Sequence, residues 1–158
     1  MIRTSDPSSS LPQEPQANPH SLPPDFTLSR VPEEQLDIVL STSEIKRQPS
    51  TYLLLPSVGV LNESGKLVAW GYIGIDGSFA TLYVLPECRG RGLATCVARE
   101  LLGRLGRGEY ADLGYAGLSG WVLADVKMGN RGSEGVMKAL GGEVGWMSSY
   151  LWVDGDRF

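Results

Sequence analysis

Two arginines and two glycines alternate in Arg89-Gly90-Arg91-Gly92, and Leu93-Ala94 follow at once. Such a run can bind an anion if a helix begins there. The first turn of a helix has N–H groups without an internal partner, and the aligned peptide dipoles place partial positive charge on them. Glycine lets a ligand approach the backbone and permits dihedrals that other residues avoid. A diphosphate suits such a pocket. Each arginine side chain would add charge-assisted bonds worth roughly 1.5–3 kcal/mol. The plainer alternative is a flexible surface turn, and the flanking elements decide between the two.

Those elements favour the pocket. Residues 78–85 read as a strand, and Pro86 breaks its ladder. Beyond the glycines, Leu93, Val97 and Leu101 recur at every fourth position, with Arg99, Glu100 and Arg104 on the other side. That spacing predicts an amphipathic helix of about four turns, ended by the glycines at 103, 106 and 108. Two familiar phosphate loops are excluded: no GxGxxG follows a parallel strand, and the Gly-Lys-Ser/Thr ending of a P-loop is missing.

Upstream, residues 26–31 read as a first strand, and Pro32-Glu33-Glu34 as the first turn of a helix with Leu36, Val39 and Leu40 on its apolar face. Residues 57–61 and 67–75 form a hairpin around residues 62–66. Asp76-Gly77 turns the chain into the strand before the pocket. Downstream, residues 121–126 fit a buried strand, and Asn130 caps a short helix that Gly141-Gly142 stops. Residues 144–153 supply one or two closing strands. The class is α/β: a mixed, mostly antiparallel sheet flanked by helices. Residues 1–24, dominated by Pro, Ser, Gln and Asn, read as a disordered arm, and residues 25–158 as the folded domain.

Composition sets the limits. A net charge of −4 argues against a nucleic-acid or anionic-membrane surface, so any anion site must be local. One histidine, His20, and two cysteines, Cys88 and Cys96, give neither a metal site nor a disulfide framework. With no signal-peptide pattern and no membrane-length apolar run, a soluble cytoplasmic protein is expected.

Arg89-Gly90-Arg91-Gly92-Leu93-Ala94 resembles the acyl-CoA signature of the GNAT superfamily, Arg/Gln-x-x-Gly-x-Gly/Ala, in the same strand-to-helix setting. Asn130-Arg131-Gly132-Ser133, with Leu140-Gly141 after it, is similar to that family's later Asn-x-x-Ser/Ala helix. The block from Leu67 through Trp146 and Trp152 looks most like the C-terminal domain of glycine N-acyltransferase-like proteins. The resemblance covers roughly residues 50 to 154 and implies a GNAT fold with acetyl-CoA or another acyl-CoA as co-substrate. It implies that backbone groups at Leu82, Val84 and Leu85 hold the pantetheine and the thioester carbonyl. An N–H aimed at that oxygen would stabilise the oxyanion, often the largest catalytic contribution. Arg89, Gly90, Arg91, Gly92, Leu93 and Ala94 would cradle the diphosphate, and Asn130 and Ser133 would face the pantetheine arm.

An amine acceptor must lose a proton, and the leaving thiolate must gain one. Asp125, at the end of its expected buried strand, and Tyr83, beside the pantetheine position, are the catalytic candidates, against plain readings as a helix cap and as strand packing. Glu87 is close in sequence but solvated. Many relatives place a general-acid Tyr seven residues after the motif Asn. Here that position is Met137, which leaves Tyr150, Tyr83 or water as donor. Trp70, Trp121, Trp146 and Trp152 are read as core. The leading function is N-acyl transfer to an amine, glycine or another small one. The rivals are a protein or peptide N-acetyltransferase and a catalytically silent acyl-CoA-binding module.

Overall fold

The computed structural model describes residues 21–116 and 122–149. Strands β1 (Phe26–Ser29), β2 (Ser57–Asn62), β3 (Leu67–Ile73) and β4 (Phe79–Val84) pair antiparallel in the order β1-β2-β3-β4. Helices α1 (Leu36–Thr42) and α2 (Pro49–Leu53) lie between β1 and β2, α3 (Leu93–Gly106) follows β4, and α4 (Arg131–Ala139) comes last. The expected meander, the helix after it and the late capped helix are all present. The α/β sheet flanked by helices is the one expected.

Direct partners in an antiparallel ladder share a face, so the register assigns the two layers. Val58, Gly71 and Leu82 form one row, and α3 covers it. A Cβ on Gly71 would stand 2.9 Å from Val97 Cγ1. Glycine at that point is what lets the helix axis come so close to the sheet. Gly59, Trp70 and Tyr83 form a row on the opposite face, where Tyr52 of α2 meets Tyr72 edge-on. Trp70, Tyr52, Tyr72, Val97 and Leu101 are among the fully buried side chains that join the two layers to the core.

Four expectations need correction. Gly103 does not end α3; it lies inside it, and the helix runs to Gly106. Residues 122–126 are not a buried strand: only Ala124 bridges, to Phe79, and Leu123 is 55% exposed. A single bridge cannot bury an apolar run on both faces. Residues 144–149 form no strand, and Trp146, expected in the core, is 68% exposed. Helix α2 was not anticipated. The arm over residues 1–20, Trp121, Tyr150, Trp152 and the last closing strand lie outside the described residues. Leu22, assigned to the arm, packs against the core.

Candidate functional site

The site lies where β4 gives way to α3. At its start, β4 touches the following segment through the parallel bridge Phe79–Ala124, with Phe79 N–H donating to Leu123 O at 2.8 Å. Further along, β4 has no second neighbour among the described residues, so its outer edge opens. Which backbone groups face that opening follows from the ladder. Leu85 N–H donates to Val68 O at 2.9 Å, so Val68 and Leu85 are a hydrogen-bonded pair. Such pairs alternate along an antiparallel ladder. Tyr83 therefore turns its N–H and C=O toward β3, whereas Leu82 and Val84 turn theirs outward. The extra residue Ala80, where the register shifts, resets this parity and lets Phe79 face outward as well. Val84 O confirms the phase, accepting Arg89 Nε at 3.1 Å.

A single turn at Pro86–Cys88 then carries the chain to the glycines. Gly90 (φ 78°) and Gly92 (φ 75°) both occupy the left-handed region, and no atom lies within 4 Å of where a Cβ would stand on either. The loop is thus open, and its conformation requires glycine. Gly92 caps α3 without a side chain. Arg89 N–H is committed to Pro86 O at 3.3 Å, so the loop's available amides begin one residue later than expected. The turn through Arg89 and Gly90 closes at Arg91. From Gly92 to Thr95, no backbone N–H finds an acceptor among the described residues; Cys96 N–H begins the helical bonding, to Gly92 O.

The two arginines part company. Arg89 turns toward β4, its guanidinium 5.7 Å from the Tyr83 ring centroid. Arg91 turns the other way, toward β1, and binds Asp25 at 2.8 and 3.1 Å. It also lies 4.5 Å from the Phe26 ring centroid. The hydrogen bond from Arg91 holds the Asp25 carboxyl below its ordinary pKa.

The other candidates sit further down the chain. Tyr83 stacks on Trp70 with centroids 5.0 Å apart. Asn130 Oδ1 accepts Ser133 N–H at 3.1 Å and so caps α4, and Arg99 of α3 donates to Ala139 O at 2.9 Å, which ties the two helices together. Asp125 is exposed and accepts Ser148 Oγ at 3.3 Å. It therefore does not end a buried strand. Met137 stands in α4, seven residues after Asn130, and its thioether has no proton to donate. Burial raises the pKa of the Cys96 thiol, while Cys88 is half-buried next to the loop. No cluster of metal-ligating residues and no membrane-length apolar helix occurs among the described residues.

Comparison with known proteins follows the same lines. The family model described as FR47-like protein matches residues 57–153. No curated protein matches at a significant level. Among solved structures, a Drosophila protein is 23% identical, with a TM-score of 0.59; the match covers 77% of this chain but only 40% of that one. The aminoglycoside 6′-N-acetyltransferase AAC(6′)-Ih of Acinetobacter baumannii is 14% identical, with a TM-score of 0.55, over 82% of this chain and 98% of its own. The GNAT superfamily phosphinothricin acetyltransferase of Sinorhizobium meliloti, solved with acetyl-CoA, is 19% identical, with a TM-score of 0.52, over 74% of each chain. The fold is the GNAT fold.

Proposed function

Because the chain belongs to the FR47-like protein family and has the GNAT fold, we propose that it is an N-acyltransferase that takes an acyl group, acetyl first among them, from acyl-CoA to an amine. The observation that carries this reading is the entry of α3: glycines with open space beside them and four successive N–H groups, Gly92 to Thr95, without an acceptor among the described residues. Several N–H groups converging on open space at the positive end of a 14-residue helix fit a diphosphate.

In this reading the loop from Gly90 through Arg91 and Gly92 to Leu93 and Ala94 holds the diphosphate by its backbone, and Arg89 adds the nearby side-chain charge. The pantetheine arm follows the open edge of β4 past Leu85. Its amides pair with the outward groups of Leu82, as an added strand would, while the outward C=O of Val84 stays with Arg89 Nε. Val84 N–H then points at the thioester carbonyl oxygen and stabilises the charge that gathers there as the amine attacks. The Asn130 side-chain amide and the Ser133 hydroxyl bracket the arm from α4. Acyl-CoA brings the activated thioester; the chain supplies position and a fixed dipole, and proximity contributes much of the rate.

For proton transfer, Tyr83 and Asp125 remain the candidates, Tyr83 the better placed because it lies on β4 between Leu82 and Val84. The acceptor is read as glycine or another small amine, on the resemblance of the block from Leu67 onward to glycine N-acyltransferase-like proteins. A peptide amine and a silent binding module are the other outcomes of one experiment. Acetyl-CoA at about 100 times its dissociation constant should stabilise the protein by roughly 2.7 kcal/mol. Thiol release is then followed with glycine, small amines and short peptides. Stabilisation with release identifies the acceptor class, stabilisation without release leaves the silent module, and no stabilisation of a folded protein removes the acyl-CoA reading.

A further inference from the structure

The ion pair between Arg91 and Asp25 joins residues 66 positions apart and has no part in the scheme above. Asp25 is well fixed. It follows Pro23-Pro24 in a turn closed by Phe26 N–H donating to Pro23 O at 3.1 Å, and β1 begins with the next residue. Arg91 reaches it from the middle of the glycine loop and packs over Phe26. The guanidinium thus faces a cavity of about 350 Å³ walled by Asp25, Glu63, Asn62, Ser64 and Cys88. Glu63 borders that cavity beside the charge-balanced Asp25–Arg91 pair, so the net charge there is negative and disfavours a phosphate. Arg89, by contrast, faces the open β4 edge.

We infer that Asp25 and Arg91 form a positioning pair that pins the Gly90–Gly92 loop to β1, leaving Arg89 as the side-chain cation for the diphosphate. The inference rests on the acyl-CoA reading of the loop. Two glycines in the left-handed region make the segment conformationally loose, and one anchor between them restrains it from the sheet side. A loop held in its binding shape loses less entropy when the ligand arrives. Arg91 then acts on the ligand through the backbone it orders, and its charge is already spent on Asp25.

The test is calorimetric titration of the full chain with acetyl-CoA at two salt concentrations. The proteins are the wild type, Arg89→Ala, Arg91→Ala, Asp25→Asn and the Asp25→Asn/Arg91→Ala double variant. Arg89→Ala is expected to weaken binding about tenfold or more and to flatten its salt dependence, as loss of a phosphate contact does. Arg91→Ala and Asp25→Asn are each expected to weaken it by about two- to fivefold with the salt dependence kept, and the double variant should be no worse than either, because the two residues act as one unit. Faster amide exchange at residues 90–92 in Asp25→Asn completes the pattern. Arg91→Ala as damaging as Arg89→Ala, or Asp25→Asn binding more tightly than wild type, would overturn the inference, since Arg91 would then leave Asp25 for the ligand. A folded wild type that binds no acetyl-CoA sinks the reading of the loop, and the inference with it.

Discussion

Helices α3 and α4 begin in opposite ways. Both follow glycines in the left-handed region, Gly90 and Gly92 before α3 and Gly129 before α4. At α4 the next residue is Asn130, whose side chain accepts Ser133 N–H and satisfies one orphan donor of the first turn. At α3 the cap is Gly92, which has no side chain to offer. Burial explains why each helix tolerates its own arrangement. α3 buries Leu93, Cys96, Val97, Ala98 and Leu101, so packing holds it whatever happens at its start. α4 has no buried residue and needs its cap. A helix that is secure by packing can leave its first turn to a ligand.

Substitutions sharpen that contrast in a graded way. The largest effect belongs to Gly92→Val, which puts a β-branched residue at φ 75° and fills the open space in the loop. It should cost about 1–3 kcal/mol of folding stability and abolish acetyl-CoA binding, measured by denaturation and titration on the same sample. Arg89→Ala comes next. It should lose about 1.5–3 kcal/mol of binding, roughly ten- to a hundredfold in dissociation constant, and leave the melting temperature of the free protein nearly unchanged. Asn130→Ala should reverse that pattern, lowering stability in urea by about 1 kcal/mol, while Asn130→Asp keeps the cap. If Asn130→Ala leaves stability intact, the contrast between the two entrances fails.

The smallest effect is one of pH. Asp25, Asp76 and Asp112 all have carboxyl groups held below the ordinary value, by Arg91, by hydrogen bonds from Ser78, and by Arg30 respectively. A depressed folded pKa gives stability that is present above the unfolded value, about 3.9 for Asp, and lost as pH falls through the folded one. The melting temperature should therefore drop as the solution is acidified below about pH 4. Asp112→Asn should make that drop shallower by removing the Arg30 pair, an exposed one and hence a modest contributor.

Much of this was legible in the sequence, and the reasons differ by region. The hairpin and β4 were visible because apolar runs alternate with Asn-Glu-Ser-Gly and Asp-Gly turns, and α3 because Leu93, Val97 and Leu101 keep a helical period over 14 residues. Five-residue α2 escaped because Pro49-Ser50-Thr51-Tyr52-Leu53 spans little more than one helical turn, too short for a helical spacing of apolar residues to repeat. Residues 122–126 and 144–149 misled because an apolar or aromatic run reports affinity for a core and not whether a core is in reach. The loop's glycines and Arg89 were legible as a motif. That Arg91 turns away to Asp25 was not, because no local pattern couples residues so far apart in the chain.

The most direct test is a titration of acetyl-CoA into wild type and Gly92→Val, with both shown to be folded by circular dichroism. Saturable binding to the wild type and none to the variant is what an uncapped, glycine-opened entry to α3 predicts. Equal binding by the two would place the ligand elsewhere and contradict a diphosphate site at the entry of α3.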